Sequence, residues 1–142
     1  MESVDLIMQK CVDIYEKLPK TGKPNDKEWT VLAAVLGLFH EKIEVLSLGT
    51  GSKCIGKNSM SPNGDVINDS HAEVIARRGF LKYLYFEIKK LNEENYSDIF
   101  YKSDFKVQLK DDVKFCFVVS ATPCGDASII LKNEVIESES NL

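Results

Sequence analysis

The chain has 142 residues, 44% hydrophobic and 28% charged, with a formal net charge of −4. That is ordinary composition for one folded domain, long enough to bury a real core. It excludes a membrane-spanning segment, and its acidic balance argues against a stand-alone basic nucleic-acid-binding module.

Val4 to Leu18 carries apolar residues at Ile7, Cys11, Ile14, Tyr15 and Leu18, which is helical spacing. Pro19 to Asn25 reads as a loop. Asp26 is then placed to cap a second helix, with Trp29, Leu32, Ala33, Val35, Leu36 and Phe39 on its apolar face and His40 at its C-terminal end. Ile43 to Leu48 alternates as a strand does, and it runs into a glycine-rich segment. Ser61-Pro62-Asn63-Gly64-Asp65 predicts a hairpin turn, with Val66-Ile67 as a short returning strand. The longest helix is expected from His71 to about Leu91, broken by Asn92 to Ser97. Phe105 to Leu109 reads as an edge strand and Lys110-Asp111-Asp112 as a turn. Val113 to Val119 reads as a strand buried on both faces, leading into a short helix at Pro123. Asn133 to Leu142 reads as a solvated tail. The order predicts an α/β layer fold, one domain over residues 1–132 followed by the tail 133–142.

Four stretches invite a chemical reading. Gly51-Ser52-Lys53-Cys54-Ile55-Gly56-Lys57-Asn58 approaches a phosphate-binding loop, but Asn58 lacks the metal-binding hydroxyl and a turn follows where a helix is needed. It is better read as a structural hairpin in which Ser52 and Lys53 face a ligand. Ser70-His71-Ala72-Glu73 is a capping box, yet it also sets a metal ligand two residues from a carboxylic acid at a helix start. Cys124 follows Pro123 at the exit of a strand, where a helix N-terminus favours the thiolate a metal needs. A His-x-Glu with a later Pro-Cys is the skeleton of a zinc-dependent nucleobase deaminase. Arg77 and Arg78, the only arginines, flank an expected apolar stripe of Val74, Leu81, Leu84, Tyr85 and Ile88. A guanidinium there needs an anion: Asp69 is one candidate, a buried polyanion another.

Residues 47–78, from Ser-Leu-Gly-Thr-Gly-Ser-Lys-Cys through Asn-Asp-Ser-His-Ala-Glu-Val-Ile-Ala-Arg-Arg, resemble the adenosine deaminases that act on RNA, as do residues 120–129, Ser-Ala-Thr-Pro-Cys-Gly-Asp-Ala-Ser-Ile. With Glu28 to Ala34, the likeness is strongest to the tRNA-specific adenosine deaminase 1 group. It implies a cytidine-deaminase-like mixed sheet flanked by helices, incomplete at the C-terminus, and adenosine-to-inosine conversion in tRNA, with alanine tRNA as the expected substrate. It implies His71 and Cys124 as zinc ligands and Glu73 as the proton shuttle. It also implies Asn68, Asp69, Arg77 and Arg78 around a buried inositol hexakisphosphate, while Ser52 and Lys53, from the reading of the glycine loop, are expected toward the substrate.

The family has a further cysteine ligand downstream, whereas no cysteine or histidine follows Cys124 here, one ligand short of a catalytic zinc site. Cys54 and Cys116 substitute only if the fold brings them near His71, and Cys116 is expected to sit too far back. The acidic start, Met1-Glu2-Ser3-Val4-Asp5, and the unpaired cysteines place the chain in the cytoplasm or nucleus, with neither membrane nor DNA as partner. The alternative is a non-catalytic truncated deaminase-fold protein that binds a partner.

Overall fold

The computed structural model describes residues 4–21 and 23–125. Helix α1 spans Val4–Lys17, strands β1 and β2 span Leu32–Phe39 and Lys42–Thr50, and a 3-10 turn spans Lys57–Ser59. Helix α2 spans Ala72–Glu94, followed by β3 (Phe100–Ser103), β4 (Lys106–Leu109) and β5 (Lys114–Val119). The main sheet is antiparallel in the order β2-β1-β5, and β3 and β4 form a separate hairpin. The α/β layering expected from the sequence is present. The expected tail, and all but the first residues of the expected Pro123 helix, lie outside the described residues.

Residues 26–39 do not form a helix. Leu32–Phe39 is the central strand, buried along nearly its whole length. Ala34 and Leu36 pack with Cys11 and Ile7 of α1 on one face. Ala33 packs with Ala72 and Ala76 of α2 on the other. A strand covered on both faces reads as a continuous apolar run, which periodicity alone does not distinguish from a buried helix. His40 is therefore no helix terminus. With Glu41 it forms the two-residue turn between β1 and β2, both at positive φ (52° and 59°), the twist a tight hairpin requires.

Three further expectations need correction. Val66-Ile67 forms no strand; the returning pairing is the Cys54–Asp69 bridge instead. Strand β5 is not buried on both faces: among the described residues it pairs only with β1, and Phe117 is 52% exposed. The expected stripe on α2 is rotated, leaving Tyr85 69% exposed while Ala72, Ala76, Glu87 and Leu91 are buried.

Close packing explains that rotation. A Cβ at Gly49 of β2 would collide with the Ala72 carbonyl oxygen and lie 2.6 Å from the Ala76 nitrogen. One at Gly79 would lie 2.9 Å from the Ser47 Cβ. The Ser47 hydroxyl donates to the Ala76 carbonyl at 2.8 Å. Small residues let the first turns of α2 lie almost on the backbone of β2, with Ala72, Ala76 and Gly79 at the contact. This seat fixes where α2 begins.

Candidate metal centre at the start of the long helix

Residues 51–55 run antiparallel to residues 68–72 as a short ribbon. The Ala72 amide donates to the Gly51 carbonyl at 3.0 Å, Ser70 to Lys53 at 3.2 Å and Ile55 to Asn68 at 3.0 Å. The loop between them is closed by Asn68, whose amide nitrogen donates to the Ser61 carbonyl at 3.0 Å and whose Oδ1 accepts from the Ser61 amide at 3.2 Å. Ser61 also bonds Asp65, and Gly64 supplies a positive φ of 76°. The expected turn is therefore there, and it delivers the chain to the first turn of α2.

The expected capping box is not. The residue before the helix is His71 rather than Ser70, and no side chain caps the helix. Asp69 takes the organising role: its Oδ1 accepts from the His71 amide at 3.0 Å and pairs with ring Nδ1 at 2.8 Å. The His71 amide, then its ring, hold the Asp69 carboxyl below the usual carboxylate range.

That contact leaves the other ring nitrogen free to bind. His71 Nε2 lies 3.5 Å from Cys124 Sγ. Bonds of about 2.0–2.1 Å to nitrogen and 2.3 Å to sulfur, set tetrahedrally, separate the two donors by about 3.5 Å. The pair thus fits a shared zinc ion, and Asp69 on Nδ1 stands where an outer carboxylate would orient a metal-binding histidine. Both residues, with Glu73, line a cavity of about 420 Å³ walled by Val74 and Phe117.

Cys54, expected to substitute only if the fold brought it near His71, does come near it. Its Sγ is 3.6 Å from His71 Nδ1, and Cys54, Asp69 and His71 place their donor atoms within 4.8 Å of one another. Partial loss of hydration, then the Asp69 charge and hydrogen bond, push its thiol up. A usable signal existed: Cys54 and Asp69 stand at near-equal sequence distance from the Ser61-Pro62-Asn63 turn, as hairpin partners must. Cys116 lies instead beside a neighbouring cleft of about 490 Å³, lined also by Arg77, Phe80, Phe115 and Phe117.

The remaining residues of interest separate from the metal pair. Ser52 and Lys53 line another depression, beside Ser70. Arg77 and Arg78 are exposed, and neither is ion-paired among the described residues; Asp69 is engaged by His71 instead.

Residues 47–141 match the adenosine-deaminase (editase) domain. The chain belongs to the adenosine-deaminase (editase) domain family. Membership brings the cytidine-deaminase-like fold with which this layering agrees, and the family's zinc dependence agrees with the donor set around His71. The chain is 42% identical to the tRNA-specific adenosine deaminase 1 of Drosophila melanogaster over 130 residues, 90% of this chain and 32% of that protein. It is 43% identical to the tRNA-specific adenosine deaminase 1 of Homo sapiens over 148 residues, 92% of this chain and 30% of that protein. A double-stranded RNA-specific adenosine deaminase of Mus musculus is 39% identical over 93% of this chain and 11% of its own length. The chain thus spans about a third of the length of its tRNA-deaminase relatives. Among the described residues no helix is long and apolar enough to cross a membrane.

Proposed function

We propose that this editase-family chain takes part in hydrolytic deamination of adenosine to inosine in tRNA, in the cytoplasm or nucleus, with alanine tRNA as substrate. The observation that supports this reading best is the 3.5 Å approach of His71 Nε2 to Cys124 Sγ in one cavity with Glu73. His71 and Cys124 would hold zinc. When bound, zinc supplies a water whose pKa falls to about 7. Glu73 takes one proton of the attacking water and delivers it to adenine N1, then carries the remaining proton of the new C6 hydroxyl to the leaving amine, so that adenosine and water become inosine and ammonia. The relatives' names, tRNA-specific and double-stranded-RNA-specific, support RNA as the substrate class.

Arg77 and Arg78 are offered to inositol hexakisphosphate or a like polyanion, since two guanidiniums without an ion pair among the described residues suit phosphate. Asn68 and Asp69, bonded to Ser61 and His71, shape the adjoining loop.

The test is inosine formation in alanine tRNA by the purified zinc-loaded chain, with Glu73→Gln beside it. Glu73→Gln is expected to lower the rate by about 10²–10⁴-fold with zinc content unchanged. Equal rates in the two proteins would sink the assignment. A second reading, a non-catalytic partner of another deaminase subunit, is favoured by the edge of β5, which has no partner strand among the described residues, and by the exposed Phe117. Co-elution with such a subunit, without inosine formation by the chain, would select it.

A further inference from the structure

The Gly51-Ser52-Lys53 arm of the ribbon also walls a depression of about 530 Å³, completed by the segment between α1 and β1. In it stands Trp29, the only tryptophan of the chain, 74% exposed. Leaving so large a ring in water forgoes its burial energy, yet the loop is built to present it. The Lys27 amide donates to Asn25 Oδ1 at 3.0 Å, the Asn25 amide to Glu28 Oε2 at 3.2 Å, and the Glu28 amide to the Asn25 carbonyl at 2.9 Å. Lys23 ties the same loop to α1, its Nζ donating to the Glu16 carbonyl at 3.0 Å and lying 4.7 Å from the Tyr15 ring centre.

The depression is lined by three lysines, Lys23, Lys27 and Lys53, against one acid, Glu28, whose carboxylate is already bonded to Asn25. On a chain of net charge −4 this is a local inversion of sign. An aromatic face flanked by cations is the arrangement that stacks a base and tracks its phosphates. An acidic peptide would use the lysines but has no need of the indole. Ser70 lines the same depression and precedes His71, so a strand lying there leads to the metal centre.

We propose that Trp29 stacks an unpaired base of a single-stranded RNA segment adjoining the target nucleoside, while Lys27 and Lys53 hold its phosphates. The choice of RNA rests on the function proposed above.

The single tryptophan makes the test direct. The 142-residue chain is titrated with a seven-nucleotide single-stranded RNA, with a blunt RNA duplex of equal length and with poly-glutamate, following indole emission. The single strand is expected to quench saturably, the other two weakly. Trp29→Ala, followed by anisotropy of labelled RNA, is expected to weaken binding about tenfold, and Trp29→Phe about threefold or less. Lys27→Ala is expected to reduce the slope of log affinity against log salt by about 0.7. Absence of quenching, unchanged affinity in Trp29→Ala, or equal quenching by poly-glutamate overturns the proposal. Glu73→Gln separates it from the functional reading. Quenching by the single strand without inosine formation by the wild-type chain leaves the groove standing and removes the deaminase assignment. Wild-type inosine formation by Trp29→Ala does the reverse.

Discussion

A histidine ring with a carboxylate on one nitrogen and a thiol on the other has little freedom to turn. At His71 the carboxylate belongs to Asp69, only two residues away, and it also fixes the His71 backbone through the amide. One side chain therefore sets the ring's orientation and the point where the helix begins. Asp69→Asn, whose amide no longer supplies the charge, is expected to weaken zinc binding by about 10–100-fold. Competition with a chromophoric chelator measures it, and an unchanged affinity would show that the carboxylate does not orient the ligand. The residues proposed for this chemistry, His71, Glu73 and Cys124, were legible as a motif because their types and spacing suit one reaction. Cys54 was legible only conditionally, since its approach to His71 depends on a pairing across the Ser61 turn that had to be inferred from the spacing on either side of it.

Among the elements, the seat of α2 on β2 carries the most consequence. Gly49→Ala would drive a methyl into the backbone of Ala72 and Ala76, atoms that cannot rotate away. It is expected to destabilise the chain by about 1–3 kcal/mol, read as a lower urea midpoint. A neutral result would mean that the helix rides further from the sheet. The elements also show where sequence reading stops. Helix α1 and strand β2 were legible because one face of each is wet and the period shows, whereas α2 was legible as a helix but not in the face it buries. Leu32–Phe39 was misread because covering both faces erased the period, and its turn uses His40 and Glu41 at positive φ, where glycine or asparagine would have given a signal. β3 was missed because Phe100–Ser103 is short and pairs only with β4, whose turn takes Asp104 and Phe105.

At the scale of the molecule, the two sheets share no strand, and their junction is polar as well as apolar. Glu87, 2% exposed, accepts from the Ser97 hydroxyl at 2.5 Å and the Asp98 amide at 2.9 Å. Lys110 Nζ donates to the Ser97 carbonyl at 2.7 Å and to the Asp98 carbonyl at 3.2 Å. Phe39, Ile99 and Val113 pack beside this network. The Tyr96 hydroxyl, and then Lys90, hold the Asp98 carboxyl below its ordinary range, as His71 holds Asp69. A depressed carboxylate contributes stability above its unfolded pKa and loses that contribution as pH falls through the folded one. Thermal stability attributable to these two residues is therefore expected to be level above about pH 4 and to fall below it. Asp98→Asn and Asp69→Asn should each flatten that acid limb when melting temperature is followed against pH, and an unaltered limb would assign it to other carboxylates.

Gly51 has a last consequence. Its amide donates to the Val31 carbonyl at 3.2 Å, and its own carbonyl accepts from Ala72 at 3.0 Å. Its φ is 139°, and any Cβ would strike the Ser70 carbonyl oxygen. One residue that admits no side chain thus couples the Trp29 segment to the His71 segment by backbone alone. The two behave as the jaws of a fixed gauge. If RNA binds as proposed, side chains in the groove can vary and change what is gripped, while the number of nucleotides between the gripped base and the reacting one stays set by the main chain.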